Sequence, residues 1–253
     1  FISTRDEVCY FYLKNKIKLN LLSNSRDLAF LDLPYKNSEE EIKSNLFNRY
    51  GINQDKYITV VLSGLYRSYT PNKLDYVDKC FKMIKGLLNN RRIEDKKIVL
   101  VPHVVNREDS DVNIINEIEK LLSKEMKKRL ILIKDTLMPH EARTILGYGL
   151  FTITGRMHAA VSTFQMKKPA ISLSYSVKYN GVIGKGLNMN DLVIESAGEE
   201  FWKQDELENI IEEKVEYLLD NYNDIINNIE VNVNQCKTLA LKQIEEIVDK
   251  LKK

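Results

Sequence analysis

Short apolar runs alternate with amphipathic stretches along most of the chain from residue 57 onward. Runs that are short, apolar and rich in β-branched residues are typical of strands buried on both faces of a sheet. Five such runs occur, at residues 57–62, 98–101, 130–133, 151–153 and 170–173. The stretches between them carry apolar residues every three or four positions, which predicts helices that each bury one face. These helices cover 72–90, 114–122, a stretch that begins at Pro139 and a stretch that ends near Met166.

This alternation predicts an α/β fold built on a doubly wound parallel sheet with right-handed crossovers. Such sheets bind ligands beyond the carboxyl ends of their strands. Four segments directly follow predicted strands and are therefore the places to look for chemistry: 64–71, 103–111, 154–158 and 174–185.

The first 56 residues have a different pattern. Residues 1–33 predict a helix near Val8, a short strand at 19–22 and an extended piece at 28–33, and we interpret them as the end of a preceding α/β domain whose upstream part lies before Phe1. Residues 34–56 predict a connector with one short amphipathic helix, which a capping box from Ser38 to Glu41 would start. The predicted Rossmann-like domain is 57–200, and 201–253 are predicted C-terminal helices.

The last 50 residues carry a long apolar stripe. Its members are three or four positions apart from Leu207 to Leu251. The stripe fits either a coiled coil or two amphipathic helices packed on the domain with a break near Asn227 and Asn228. We favour two helices, because Val231, Val233 and the asparagines weaken helix in that region.

Composition restricts the class of protein. The chain has 253 residues, 43% of them hydrophobic, and a net charge of +2 from 38 basic and 36 acidic side chains, which excludes a highly charged nucleic-acid binder. Cys9, Cys80 and Cys236 lie far apart with no CxxC pattern, so neither a zinc site nor a disulfide framework is predicted. No apolar run has the roughly 18 residues that a membrane-spanning helix needs. We expect a cytoplasmic protein.

The sharpest chemical signal is the segment Thr154-Gly155-Arg156-Met157-His158 between a predicted strand and a predicted helix. Gly155 allows a tight turn, and the free N–H groups of a helix start bind anions. The Arg156 guanidinium suits phosphate or carboxylate, and His158 can transfer a proton near neutral pH. The spacing equally allows Arg156 to pair with a neighbouring loop and His158 to cap or pack.

Further candidates follow other predicted strands. Tyr175 and Lys178 come after the fifth strand, Arg67 after the first and His103 after the second. Lysine and arginine at this edge are candidate anion contacts. Each has a plain alternative, since a single lysine is more often solvated and a single histidine after a strand is more often structural.

Several of these segments resemble the polysaccharide pyruvyltransferase family. Residues 153–162 resemble its S-G-R-[LM]-H-A segment, and 168–175 with Lys178 resemble its G-x-P-A-[IV] strand and Y-x-x-K element. Weaker likenesses cover almost the whole chain in order: Ser3-Thr4-Arg5-Asp6-Glu7 to S-x-R-[DE], Asp27-Leu28-Ala29-Phe30 to D-P-A-F, and Val101-Pro102-His103 to V-P-H. Lys168 and Leu28 depart from the family's glycine and proline.

The resemblance implies a GT-B-like architecture and transfer of pyruvate from phosphoenolpyruvate, the donor substrate, to two sugar hydroxyls as a ketal. It places Arg5, His158 and Lys178 at functional positions. Together with the residues at the predicted ligand edge, this makes the candidate catalytic residues His158, Arg156 and Lys178, and the candidate substrate-binding residues Arg5, Arg67, Gly155, Tyr175 and His103. No metal and no other cofactor is expected.

The expected partners are phosphoenolpyruvate and a glycan or lipid-linked sugar acceptor on the route to a cell-surface polysaccharide, with no nucleic acid. Peripheral membrane association at the inner face and homo-oligomerisation stay open. One alternative is a GT-B glycosyltransferase with a nucleotide-sugar donor, for which Glu195 or Glu199 would hold the ribose. The other is a non-catalytic interaction module that uses the C-terminal stripe.

Overall fold

A six-stranded parallel sheet forms the centre of the protein. The computed structural model describes residues 1–33, 38–105, 108–204 and 206–252. In chain order the strands are β1 (Ile2–Thr4), β2 (Leu22–Asn24), β3 (Tyr57–Val61), β4 (Lys97–Leu100), β5 (Leu130–Leu132), β6 (Thr152–Thr154), β7 (Ala170–Ser174) and β8 (Val193–Glu195). The large sheet has the order β5-β4-β3-β6-β7-β8, and all its pairings are parallel. Strands occur at all five predicted runs, and β8 adds an edge strand.

Helices cover both faces of this sheet. The helices of the described residues are α1 (Glu7–Asn15), which belongs to the N-terminal segment, and α2 (Glu39–Tyr50), α3 (Lys73–Asn89), α4 (Asp111–Leu121), α5 (Pro139–Tyr148), α6 (Met157–Gln165), α7 (Glu199–Lys203), α8 (Leu207–Asp220) and α9 (Tyr222–Leu251). Side chains of a strand alternate between faces, so Ile58 and Val60 enter the larger core with α3 and α8, whereas Tyr57 and Val61 enter the smaller core with α2 and α5. The predicted doubly wound parallel sheet is confirmed.

The strand order reverses at the centre of the sheet. From β3 the chain builds outward to β4 and β5, then returns to place β6 on the other side of β3 and continues to β7 and β8. Ligands of open α/β sheets bind in the crevice outside the carboxyl ends of the strands at such a reversal. The segments that follow β3, β4 and β6 therefore border the expected site.

The N-terminal segment forms a small parallel pair, β1 with β2, joined by α1. No residue of α1 is buried, and the side chains of Phe11 and Tyr12 are exposed. The predicted bounds 19–22 of the short strand are wrong, since β2 runs from Leu22 to Asn24. The predicted extended piece at 28–33 begins instead as a 3-10 turn at Leu28–Phe30, because the side chain of Asp27 caps it.

The helix of the predicted connector packs against the sheet domain. Ser38 starts α2 by accepting a hydrogen bond from the backbone N–H of Glu41, and Ile42 and Leu46 are buried in the smaller core. Residues 34–37, including Pro34, lie outside the described residues, as do 106–107 of the segment 103–111. The division into domains at 33, 56 and 200 stays a prediction.

The C-terminal tail forms two helices on the domain, but the predicted position of the break is wrong. The chain turns at Asn221, between α8 and α9, and α9 continues for 30 residues through Asn227 and Asn228. Val233 is buried together with Ile229. Tertiary packing of this face outweighs the weak helix propensity of the valines and asparagines. Within the described ranges, no helix is both long enough and apolar enough to cross a bilayer.

Candidate active site

The turn between β6 and α6 is held by two buried tyrosines. The hydroxyl groups of Tyr69 and Tyr179 both donate to the carbonyl oxygen of Gly155, at 2.6 and 2.7 Å. Burial raises the pKa of both phenols, so both keep the proton that they donate. A Cβ at residue 155 would lie 2.7 Å from the Tyr69 hydroxyl oxygen. Gly155 therefore allows the close approach that fixes the start of α6.

Arg156 forms a buried ion pair with Asp111, the first residue of α4. Its Nε and Nη2 donate to one carboxylate oxygen, Oδ1, at 3.1 and 2.7 Å, and Nη2 also donates to the carbonyl oxygen of Asp109 at 2.9 Å. Asp111 has no exposed surface. Of the two interpretations that the sequence left open for Arg156, the structure has the pairing with a neighbouring loop.

Asp111 also joins the ends of two strands. It accepts hydrogen bonds from the backbone N–H of Gly64, after β3, at 2.7 Å, and from those of His103 and Val104, after β4, both at 2.9 Å. With Arg156 after β6, one carboxylate ties together three strand ends at the reversal point. The sequence analysis missed this residue, although a carboxylate in the first turn of a helix is a recognisable stabilising feature.

His103 lies beside this ion pair. Its side chain keeps some exposed surface, but the surrounding protein removes most of its hydration and lowers its pKa from 6.5 to about 4. The Asp111 carboxylate opposes the shift in the pKa of His103, and His158, when protonated, and Arg156 add to it. His103 is therefore neutral near pH 7 and acts there as a polar group without charge.

His158 and Arg5 meet at a third residue, Asp27. The His158 Nε2 lies 3.6 Å from Asp27 Oδ2, and Arg5 Nη1 lies 3.7 Å from the same oxygen. The side chain of His158 is 52% exposed and that of Arg5 is 45% exposed, whereas Asp27 is largely buried. The pKa of Asp27 is lowered overall. Burial acts to raise this pKa, but the contact with His158, the Ala29 N–H and the charge of Arg5 together outweigh the effect of burial.

The segment that carries Asp27 is clamped on the sheet domain. Arg143 on α5 donates to the carbonyl oxygens of Ala29 and Leu31, both at 3.2 Å. Gln165 at the end of α6 donates to those of Phe30 and Leu31, at 3.1 and 2.8 Å. This clamp brings Asp27 next to the second residue of α6, His158. The D-L-A-F likeness was the only sequence signal for Asp27, which was not among the candidate site residues.

Lys178 is connected to the Gly155 turn through tyrosines. Its Nζ donates to the Tyr175 hydroxyl at 2.6 Å and lies 4.4 Å from the centre of that ring. The Tyr175 ring contacts those of Tyr69 and Tyr179, with centroids 5.2 and 5.4 Å apart. Arg67 is exposed and lies over the ring of its neighbour Tyr66.

The predicted site residues therefore fall into three groups around one turn. Arg156 and His103 gather at Asp111, His158 and Arg5 gather at Asp27, and Tyr175 and Lys178 form a pair on the β7 side. Arg67 lies outside these groups. In the described part of the chain, no group of three or more His, Cys, Asp or Glu side chains is arranged to hold a metal ion.

Comparison with known proteins gives the family. A model of the family described as "Polysaccharide pyruvyl transferase" matches residues 1–177. The chain belongs to this family. The match includes Arg5, Asp27, Asp111, Arg156 and His158, and it ends one residue before Lys178. A comparison with curated proteins finds no match.

Solved structures of similar fold include a heptosyltransferase and an epimerase. ADP-heptose LPS heptosyltransferase II from E. coli matches with a TM-score of 0.54 and 15% identity, over 76% of this chain and 55% of that one. UDP-GlcNAc 2-epimerase from Neisseria meningitidis matches with a TM-score of 0.48 and 12% identity, over 83% and 48%. This chain thus spans about half the length of these structures. The likeness to the heptosyltransferase shows the fold alone, and the GT-B-like α/β prediction is confirmed.

Proposed function

We propose that this pyruvyl transferase transfers pyruvate from phosphoenolpyruvate to two hydroxyl groups of a sugar and forms a ketal on a cell-surface polysaccharide or its lipid-linked precursor. One observation carries the proposal beyond family membership: a half-exposed imidazole, His158, lies beside Asp27 and Arg5 at the reversal point of the sheet. A proton donor next to a cation is what an anionic enol ester requires.

Phosphoenolpyruvate combines a phosphate and a carboxylate on a small frame, so its binding requires several cations and hydrogen-bond donors. Arg5 is exposed and Lys178 is half-buried, so both cations can reach a ligand. The first backbone N–H groups of α6 are further hydrogen-bond donors, and such groups bind anions. Arg156 has its Nε and Nη2 on Asp111 and Asp109. We therefore assign Arg156 mainly to the positioning of the α6 start, and Arg5 and Lys178 to the donor.

The reaction needs one proton at carbon and two new carbon–oxygen bonds. His158 gives a proton to C3 of phosphoenolpyruvate, which becomes a methyl group, and a sugar hydroxyl attacks the electron-poor C2. The proton of that hydroxyl returns to His158. The C2–O bond to phosphate then breaks, and the second hydroxyl closes the ketal ring while its proton leaves with the phosphate. A positioned general acid contributes about 10²–10⁴-fold to the rate of such a step.

The test is acceptor-dependent phosphate release by the full-length protein. We expect His158→Ala to lower kcat by about 10²–10⁴-fold, because the proton donor is removed. Lys178→Ala should raise the KM for phosphoenolpyruvate. His140→Ala is the matched control, since His140 is the second residue of α5 and belongs to none of the three groups, and it should keep wild-type turnover. Unchanged turnover in the His158 variant would remove it from the mechanism.

Ligand-induced thermal stabilisation separates this proposal from a nucleotide-sugar glycosyltransferase. Glu195, one of the two candidate ribose contacts (the other is Glu199), is exposed at the end of β8 and accepts a hydrogen bond from the side chain of Asn180 at 2.6 Å. A ligand that binds only the folded state raises the Tm. We expect phosphoenolpyruvate to raise it, and Lys178→Ala to reduce the shift. Stabilisation by UDP or GDP alone would favour the glycosyltransferase. The acceptor, a cytoplasmic location, membrane association and oligomeric state remain proposals.

A further inference from the structure

The two carboxylate oxygens of Asp27 have different partners. Oδ1 accepts a hydrogen bond from the backbone N–H of Ala29 at 3.0 Å and caps the turn at Leu28–Phe30. Oδ2 faces His158 Nε2 at 3.6 Å and Arg5 Nη1 at 3.7 Å. Capping the turn requires one oxygen only. The second oxygen lies between the imidazole of His158 and the guanidinium of Arg5.

We propose that Asp27 is a positioning residue that orients the His158 imidazole, with Nε2–H toward the carboxylate and Nδ1 toward the donor substrate. The proposal rests on the proposed function, because it assigns the proton transfer to Nδ1 of that histidine. A carboxylate that accepts from one ring nitrogen sets the tautomer and the ring orientation. Asp27 acts through His158 and does not itself touch the substrate.

Contacts with neighbouring helices hold the Asp27 segment in place. Asp27 is largely buried, and its segment is held by the side chains of Arg143 and Gln165. The hydroxyl of Ser25, two residues earlier, lies within hydrogen-bond distance of the Leu239 carbonyl oxygen and of the Gln243 side-chain oxygen on α9, at 3.0 and 2.8 Å. Contacts with three helices, α5, α6 and α9, thus hold the segment that carries the Asp27 carboxylate, whereas the His158 imidazole is half exposed. A fixed acceptor can therefore orient the half-exposed ring.

The electrostatics agree with the geometry. The contact with His158 and the charge of Arg5 help to lower the pKa of Asp27 despite its burial, so Asp27 is a carboxylate at neutral pH. A carboxylate can only accept hydrogen bonds, so its charge favours the His158 tautomer whose proton is on Nε2, the nitrogen that faces it at 3.6 Å.

A double-mutant cycle tests the proposal in the full-length protein. Asp27→Asn keeps an oxygen for the Ala29 N–H and removes the charge that faces His158. We expect it to lower kcat by about tenfold or more in the wild-type background, within the range for general acid catalysis. In a His158→Gln background the same change should have no further effect, because Asp27 acts through the imidazole. Asp32→Asn, an exposed carboxylate on the same segment, is the matched control.

The outcomes are distinct. A kcat equal to wild type in Asp27→Asn, or the same loss in both backgrounds, would overturn the positioning role, and equal losses would assign Asp27 to structure alone. If the wild-type protein does not transfer pyruvate, the proposed function fails and the cycle does not bear on Asp27. The second measurement therefore does not depend on turnover.

That measurement is the tautomer of His158 by long-range ¹H–¹⁵N NMR, which is tractable because the chain has 3 histidines. We expect neutral His158 to carry its proton on Nε2 in the wild type and to lose this preference in Asp27→Asn. His103 and His140 serve as internal controls that should not change. A wild-type His158 protonated on Nδ1, or a tautomer unaffected by Asp27→Asn, would overturn the proposal even if the enzyme is active.

Discussion

Arg156 and Asp111 form the ion pair that ties the ends of β3, β4 and β6 together. Two guanidinium nitrogens reach one carboxylate oxygen at 3.1 and 2.7 Å, and the other oxygen accepts two backbone N–H groups. The arginine of the predicted anion-binding segment is thus paired with a buried carboxylate of the protein itself. Asp111 partly neutralises the charge of Arg156. The ion pair also holds together the edge of the sheet at which the ligand is expected to bind.

Removal of Asp111 should destabilise the protein strongly. Asp111→Ala leaves a largely buried guanidinium and three backbone N–H groups without their acceptor. Breaking a buried pair by removing one partner costs about 3–5 kcal/mol. The free energy of unfolding from urea denaturation measures this loss. Glu125→Ala, which breaks an exposed pair with Lys128, is the control and should cost about 0–1 kcal/mol. A loss as small in Asp111→Ala would contradict the role given to Asp111.

The close approach of Tyr69 to Gly155 leads to a second prediction. Gly155→Ala places a methyl group 2.7 Å from the Tyr69 hydroxyl oxygen and 3.2 Å from Ser63 Cβ, so the tyrosine must move. Overpacking of this kind costs about 1–3 kcal/mol. Tyr69→Phe removes the oxygen that clashes. We therefore expect the free energy of unfolding of the double variant to fall by less than the sum of the single losses. Additive losses would show that the clash is relieved elsewhere.

His103 should make stability depend on pH. Burial lowers its pKa to about 4, below its ordinary 6.5. Between these values the unfolded chain binds a proton that the folded protein does not, so the stability that His103 contributes is complete above pH 6.5 and is lost as the pH falls toward 4. His103→Gln should flatten the dependence of the unfolding free energy on pH in this range. Between pH 7 and 8, where His103 is neutral in both states, the wild-type and variant slopes should agree. Equal slopes from pH 6.5 to 4 would contradict the shift.

Local patterns predicted most of the fold. β3 and β7 are apolar runs of the length of buried strands, and α3 lies within the predicted helix at 72–90. The patterns failed where the signal was short or was outweighed by packing. β8 has three residues at the edge of the sheet, and α9 continues through Asn227 because one of its faces is buried. The structure has the predicted turn at Gly155, since glycine and the boundary between strand and helix are both visible locally.

The sequence by itself determined the alternation of strands and helices, the edge at which chemistry gathers and the residue types of the Gly155 turn, because each depends on neighbours in the chain. Only the tertiary structure decided that Arg156 pairs with Asp111, 45 residues away, and that His158 faces Asp27. These partners meet because α4 begins at the reversal point of the sheet and because Arg143 and Gln165 hold the Asp27 segment against α5 and α6. Contacts of this kind follow from how distant elements pack, and no local periodicity encodes them.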